Sequence, residues 1–138
     1  MADDCIFCKI ITGDIPAHQL YEDDRVLAFL DIGPLSDGHC LVVPKDHYER
    51  LDDCPVDVVA AVMSKVGPLA KAIVAATGAE GYNVLNNNGH CAGQLVGHVH
   101  FHIIPRRTGD GIFIPWPAKE YPHGRAEELA RNIKNILG

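Results

Sequence analysis

His98, His100 and His102 alternate with apolar residues in the run His98-Val99-His100-Phe101-His102-Ile103-Ile104-Pro105. An extended strand sends successive side chains to opposite faces, so the three imidazoles would share one face and Val99, Phe101 and Ile103 the other. Imidazole suits a reaction at phosphorus near neutral pH. It is largely unprotonated there, it is nucleophilic, and it can leave again from a phosphoramidate bond. A second imidazole two residues on, roughly 7 Å along the strand, can contact phosphoryl oxygens or donate a proton to a leaving group. His100 has a histidine on each side and is best placed to attack. Its other ring nitrogen must then donate to something fixed, such as a backbone carbonyl, to hold the attacking tautomer. The competing reading is a half-buried strand whose polar face happens to be histidine.

Cys5-Ile6-Phe7-Cys8 has the two-residue spacing of a zinc knuckle and needs two further ligands from elsewhere in the chain. A thioredoxin-like redox site is disfavoured because no strand precedes Cys5 to give that motif its βαβ setting. Five cysteines cannot all pair within one chain, so reduced thiols or a metal are the better reading. Cys40, Cys54 and Cys91 have no partner at a recognisable spacing and read as plain thiols.

These residues must be positioned by strands and helices that the apolar periodicity outlines. Ile6 to Ile11 is the first apolar segment, closed by Gly13-Asp14-Ile15-Pro16. Val26 to Asp31 and Cys40 to Val43 read as strands joined through turn residues at Gly33-Pro34 and Asp37-Gly38. Val59, Val62, Val66, Leu69 and Ile73 recur at helical spacing, with Asp53 as N-cap, Pro55 in the first turn and Gly78 as the stop. Pro68 predicts a kink near Lys65 to Gly67. Tyr82 to Asn86 and His98 to Ile104 are further strands, and Leu129, Ile133 and Leu137 mark a last helix. Strands and helices are interspersed without repeated βαβ units, which favours an α+β class.

A chain of 138 residues with 47% hydrophobic side chains fits one domain, 1–138, with a helical extension from about 124. Twelve Lys plus Arg against 18 Asp plus Glu leave a formal charge of −6, which disfavours a DNA or RNA polymer as partner. No stretch reads as the roughly 20 consecutive apolar residues of a membrane helix, and the N-terminus lacks the basic-then-apolar plan of a signal peptide. A soluble, cytoplasmic protein is expected.

The chain resembles the histidine-triad (HIT) family. The resemblance rests on Ala92-Gly93-Gln94-Leu95-Val96-Gly97 leading into the histidine run, and on segments Ile6 to Ile11, Tyr21 to Ile32 and Gly38 to His47 in the family's order. It implies that His100 is the nucleophile, that His102 holds phosphate oxygens and that His39 completes the histidine cluster. It further implies that Asp31 accepts the ribose hydroxyls, that Asn87 and Gln94 contact ribose or phosphate, and that Gly93 lets backbone approach phosphate. Ile6, Phe7, Ile10, Phe29 and Leu41 would form an apolar slot around the base. In relatives that keep both cysteines, the positions of His47 and His98 join Cys5 and Cys8 around a structural zinc. The related transferase branch carries Gln at the third triad position, so His102 favours hydrolysis. One branch has a proton-donating Ser where Leu95 stands, which leaves the natural leaving group open.

The resulting expectation is a five-stranded antiparallel sheet with the histidine strand central, the Pro55 to Ala76 helix packed across it, and a homodimer formed through that helix and the Tyr82 strand. The reaction would release a nucleoside monophosphate from a purine nucleoside phosphoramidate or dinucleoside polyphosphate. A non-catalytic nucleotide sensor or scaffold and a nucleotidyl transferase or phosphorylase are the rival functions. The Arg106-Arg107 pair reads as a solvated face. Trp116 reads as the anchor of a rigid loop, and His18, His90 and His123 as exposed.

Overall fold

The computed structural model describes residues 2–113 and 117–138; Trp116 lies outside them. Helix α1 (Ile6–Ile11) is followed by strands β1 (Gln19–Glu22), β2 (Val26–Leu30) and β3 (Cys40–Pro44), then helix α2 (Val56–Thr77). Strands β4 (Gly81–Leu85) and β5 (Phe101–Arg106) complete one antiparallel sheet of order β1-β2-β3-β5-β4, and helix α3 (Arg125–Leu137) ends the chain. The α+β architecture is as expected, but β3 rather than the histidine strand is the middle strand. β1 has no clear alternation of apolar and polar residues, and only its pairing with β2 defines it.

Pleating gives the sheet two different faces. Val26, Ala28, Cys40, Val42, Phe101 and Ile103 point to the back and pack with Val62, Val66, Ala70 and Ile73 of α2. Leu27, Phe29, Leu41 and Val43 point to the front and pack under Phe7, Cys8 and Ile10 of α1. The histidines belong to this front face, between the α1 core and the β4 edge.

Several boundaries depart from the sequence reading. The ladder of β5 starts at Phe101, so His98 and His100 precede it, and the strand runs on through Pro105. A proline is tolerated where its missing donor is not needed by a neighbouring strand. Helix α2 is capped by Pro55 without a side-chain bond, while Asp53 belongs to a single 3-10 turn, Leu51–Asp53. The helix continues unbroken through Pro68, which lies on its exposed side, where water can satisfy the carbonyl that loses its partner. Its deepest residues are Val58, Val62, Val66, Ala70 and Ile73, with Val59 and Leu69 at the margins. At 22 residues it is also long and apolar enough in composition to cross a membrane, contrary to the sequence expectation, because single polar residues interrupt the apolar runs without lowering their average much. In this fold it lies on the sheet. Gly38 allows that fit: at φ +89°, a Cβ there would sit 2.8 Å from Thr77 Cγ2. No residue of α3 is buried.

Candidate active site and metal centre

His100 is 5% exposed, and its ring is fixed by the chain that carries it. Its Nδ1 lies 2.7 Å from the His98 carbonyl. A carbonyl can only accept, so Nδ1 carries the proton and Nε2 keeps a free lone pair. This is the backbone acceptor that nucleophilic use of His100 demands. Burial lowers the His100 pKa, which keeps the lone pair available at neutral pH. Phe7 meets the ring edge-on with centroids 5.0 Å apart, and His102 follows at 4.9 Å on the other side.

A second chain of bonds orders the other two imidazoles. The Leu35 N–H donates to His39 Nδ1 at 3.0 Å, so the His39 proton resides on Nε2. Nε2 lies 2.9 Å from His102 Nδ1 and donates to it, which leaves the His102 proton on Nε2. Asp31 Oδ2 stands 3.6 Å from His39 Nε2, and Asp31 Oδ1 accepts the Gly33 N–H at 2.9 Å. Asp31, His39 and His102 are close enough to be considered as metal ligands. The tautomers argue against that use, since metal at His39 Nε2 would force a proton onto Nδ1, against the Leu35 N–H. The arrangement is a directed hydrogen-bond chain ending in a donor.

Burial, then the neighbouring imidazoles of His100 and His39, push the His102 pKa down to about 4, and burial also lowers that of His39. Both rings are therefore neutral donors at pH 7. A depressed histidine pKa means that the unfolded chain binds the extra proton first, so this contribution to stability is complete above about 6.5 and is lost as pH falls toward 4. His102→Gln is expected to flatten the dependence of the urea midpoint on pH across that window by up to one proton. An unchanged slope would contradict the assignment.

Asp31, His39 and His102 open onto a pocket of about 340 Å³ lined also by Leu35, Asn87 and Phe113, among others, whereas His100 lies beside His102 and is not among the lining residues. That volume is within the roughly 300–1,000 Å³ of small-molecule sites. Gly93 has φ +94°, and a Cβ there would come 3.4 Å from Asn87 Nδ2, so glycine meets both the backbone and the space requirement beside Asn87. Gln94 is buried and ties its own loop to the segment after β3: Oε1 accepts the Gly89 N–H, and Nε2 donates to the Glu49 and Val96 carbonyls. Both of its amide protons are thus in use. Phe7, Ile10, Phe29 and Leu41 are gathered in the front core beside His100 and are not among the residues lining the pocket, while Ile6 is 43% exposed.

Leu35, Leu85, Ile104 and Phe113, with Leu95, supply the apolar lining of this pocket. Sequence reasoning passed over the first four because Leu35 and Phe113 lie in loops and Leu85 and Ile104 read as ordinary strand residues. Phe113 does carry a structural mark, the single positive φ (+55°) of a non-glycine among the described residues. Arg106 stacks at 5.5 Å on that ring and forms a two-pronged pair with Asp110. Arg107 donates to the Thr77 and Gly78 carbonyls at the end of α2. The arginine pair therefore braces loops. His18, His90 and His123 are exposed.

On the far side of His98 the second cluster assembles. Cys5 Sγ lies 3.4 Å and Cys8 Sγ 3.6 Å from His98 Nδ1; Cys8 Sγ lies 3.4 Å from His47 Nδ1, and the two Nδ1 atoms are 3.2 Å apart. Ligand atoms held tetrahedrally about 2.0–2.3 Å from one zinc ion lie roughly 3.3–3.8 Å from one another. The donor set fits. His98 Nε2, 2.8 Å from the Pro44 carbonyl, must carry its proton, which leaves Nδ1 free to ligate. The Cys8 N–H points to Cys5 Sγ at 3.4 Å, supporting a thiolate there. Four such groups could hold a metal ion with no open coordination position.

The fold and these clusters define a class: a two-faced antiparallel sheet bearing a buried imidazole with its Nε2 lone pair free, a two-histidine donor relay and an adjoining Cys2His2 cluster. The HIT domain model matches residues 12–109, and the chain belongs to that family. It is 57% identical over 130 residues to an uncharacterized HIT-like protein of Methanocaldococcus jannaschii, covering 94% of this chain and 98% of the other. It is 44% identical over 137 residues to the adenosine 5′-monophosphoramidase of Schizosaccharomyces pombe, covering 94% and 98%. A solved HIT-family structure from Bacillus subtilis superposes with TM-score 0.90 at 42% identity, covering 99% of each chain. A zinc-bound histidine triad family protein from Mycobacterium smegmatis does so with TM-score 0.76 at 36% identity, covering 97% and 95%.

Proposed function

We propose that the protein hydrolyses nucleoside phosphoramidates or dinucleoside polyphosphates to a nucleoside monophosphate through a transient nucleotidyl group on His100. The observation that carries this reading is the 2.7 Å contact between His100 Nδ1 and the His98 carbonyl, which leaves Nε2 free to attack. The phosphoramidase activity named for the fission-yeast relative supports it.

In the first half-reaction with a phosphoramidate, His100 Nε2 forms a bond to phosphorus as the bond to the amine nitrogen breaks. The departing amine takes up one proton from solvent. His102 Nε2–H donates a hydrogen bond to a phosphoryl oxygen and keeps its orientation through His39. The His98 carbonyl faces the Nδ1–H of the positively charged nucleotidyl-imidazole, where it stabilises that charge. In the second half-reaction water attacks phosphorus, the N–P bond breaks, and one proton returns to solvent. Proton uptake and release cancel, and His100 is regenerated neutral.

Asp31 is a fitting acceptor for the two ribose hydroxyls, and Asn87 with the Gly93 backbone borders the phosphate. Gln94, its amide consumed by the loop, serves by holding that border in shape. Leu95 is 87% exposed and has no proton to offer, so leaving-group protonation falls to solvent. Zinc, when bound by Cys5, Cys8, His47 and His98, would supply structural cross-linking.

We also propose a cytoplasmic homodimer through α2 and β4. Tyr82 and Val84 on the β4 edge are 47% and 39% exposed, consistent with a covered surface in the assembly. Light scattering reporting a 15.0 kDa particle would exclude the dimer.

Acid-labile chemistry can be caught directly. Intact-mass measurement after a brief quench, under conditions that preserve N–P bonds, is expected to show an added nucleotidyl mass with adenosine 5′-phosphoramidate or diadenosine tetraphosphate. Turnover without any adduct would exclude the covalent route.

A further inference from the structure

We propose that Asn86 is a positioning residue for His100; the proposal rests on the assignment of His100 as nucleophile. Backbone pairing stops short of that residue. The ladder between β3 and β5 spans Cys40 to Val42 against Ile103 to Phe101, and the ladder between β4 and β5 ends at Leu85 opposite His102. His98, Val99 and His100 therefore lie beyond both ladders, where a strand end would fray unless something else held it.

The β3 side holds it in two places. The Val99 N–H donates to the Tyr48 carbonyl at 2.7 Å, and His98 Nε2 meets the Pro44 carbonyl at 2.8 Å. On the β4 side the corresponding anchor is a side chain, with Asn86 Nδ2 donating to the His100 carbonyl at 2.8 Å. Asn86 is the first residue after β4, and its carboxamide continues the ladder after the backbone has turned away.

The direction of that bond is set by its neighbours. The Leu51 N–H donates to Asn88 Oδ1 at 2.8 Å, which turns Asn88 Nδ2 toward Asn86 Oδ1, and that in turn leaves Asn86 Nδ2 facing His100. A backbone donor near the start of α2 thus fixes an amide orientation two side chains away. The run Asn86-Asn87-Asn88 has period two: its outer members form this brace, and Asn87 faces the pocket.

Anchoring the His100 carbonyl fixes the peptide plane and with it the direction of the Cα–Cβ bond that aims the ring. Asp at 86 would keep the shape and lose the donor, placing a carboxylate against a carbonyl. Ala would lose both contacts. A displacement on the order of 1 Å can cost about 10²-fold in rate, so the brace acts on turnover more than on affinity.

The experiment compares wild type with Asn86→Asp, Asn86→Ala and Asn88→Ala. It reads kcat and KM for adenosine 5′-phosphoramidate, the melting temperature, zinc content and the 15N resonances of the histidine rings. Both Asn86 variants are expected to lose about 10- to 100-fold in kcat with KM within about twofold. Asn88→Ala, which removes the group that orients Asn86 together with the acceptor of the Leu51 N–H, should lose about 3- to 10-fold. The His100 ring should be a single Nδ1–H tautomer with narrow lines in wild type and broadened in both Asn86 variants. A folded Asn86→Asp with kcat within twofold of wild type would overturn the proposal, as would a loss that merely follows falling melting temperature and zinc content. If wild type itself shows no turnover, the hydrolase assignment fails, and the ring spectrum still decides: an unchanged His100 line in Asn86→Asp removes the positioning role.

Discussion

Substitution of His100 by alanine is expected to lower turnover of adenosine 5′-phosphoramidate by about 10⁴-fold or more, with affinity for AMP changed by only a few fold. The asymmetry follows from the geometry. The attacking lone pair belongs to one atom, whereas His39, His102, Asp31 and Asn87 line the pocket and stay in place. His102 cannot substitute, because its Nδ1 is held by His39 and its Nε2 carries the proton. The variant should remain folded: it loses one hydrogen bond to the His98 carbonyl and some packing against Phe7, together about 2–3 kcal/mol. Product formation followed by chromatography, with calorimetry for AMP binding, separates the two quantities. Residual activity above about 1% of wild type would mean that the phosphoryl group is not carried on this residue.

Removal of the metal is expected to lower the melting temperature by about 10–20 °C, and Cys8→Ala by a similar amount. The centre joins α1 to the segment before β5, with His47 from the chain after β3 as the fourth member, so its loss releases the front core as well as His98. Empty, the site confronts two thiols with two imidazole nitrogens, and burial raises the Cys5 pKa. A colorimetric thiol titration provides an independent count. The native protein should react first at exposed Cys91 and more slowly at Cys54, and chelation should add two thiols from Cys5 and Cys8. Cys40, fully buried and with a pKa pushed up to about 12, should stay silent until the chain unfolds. A melting temperature and thiol count indifferent to a chelator would rule out a structural metal there.

The strongest local signals in the sequence were period and spacing, and both survive in the fold. Val99, Phe101 and Ile103 pack to the back of the sheet while His98, His100 and His102 face the front, as alternation requires. Gly78 stops α2 in the left-handed conformation that glycine tolerates. Less legible were features without a local pattern. The N-terminal apolar segment gave no helix period in six residues, β1 exists through its pairing with β2, and the start of β5 depends on where β3 and β4 offer partners. Asn86 read as the last residue of a strand, and only its contacts with His100 and Asn88 reveal a brace.

By itself, then, the chain determined which side chains could do chemistry: imidazoles at alternate positions and a Cys-x-x-Cys pair by residue type and short-range spacing, and Asp31, Asn87 and Gln94 by resemblance to the family. Tertiary structure decided their protonation and their company. Which nitrogen of His100 is free depends on a carbonyl two residues away being turned toward it, and which nitrogen of His102 donates depends on His39, 63 positions earlier. Gln94 became a loop staple, Phe113 a pocket wall and Cys5 a neighbour of His98 for the same reason. A hydrogen bond has direction and short range, so its outcome is settled only when distant backbone has been brought within about 3 Å.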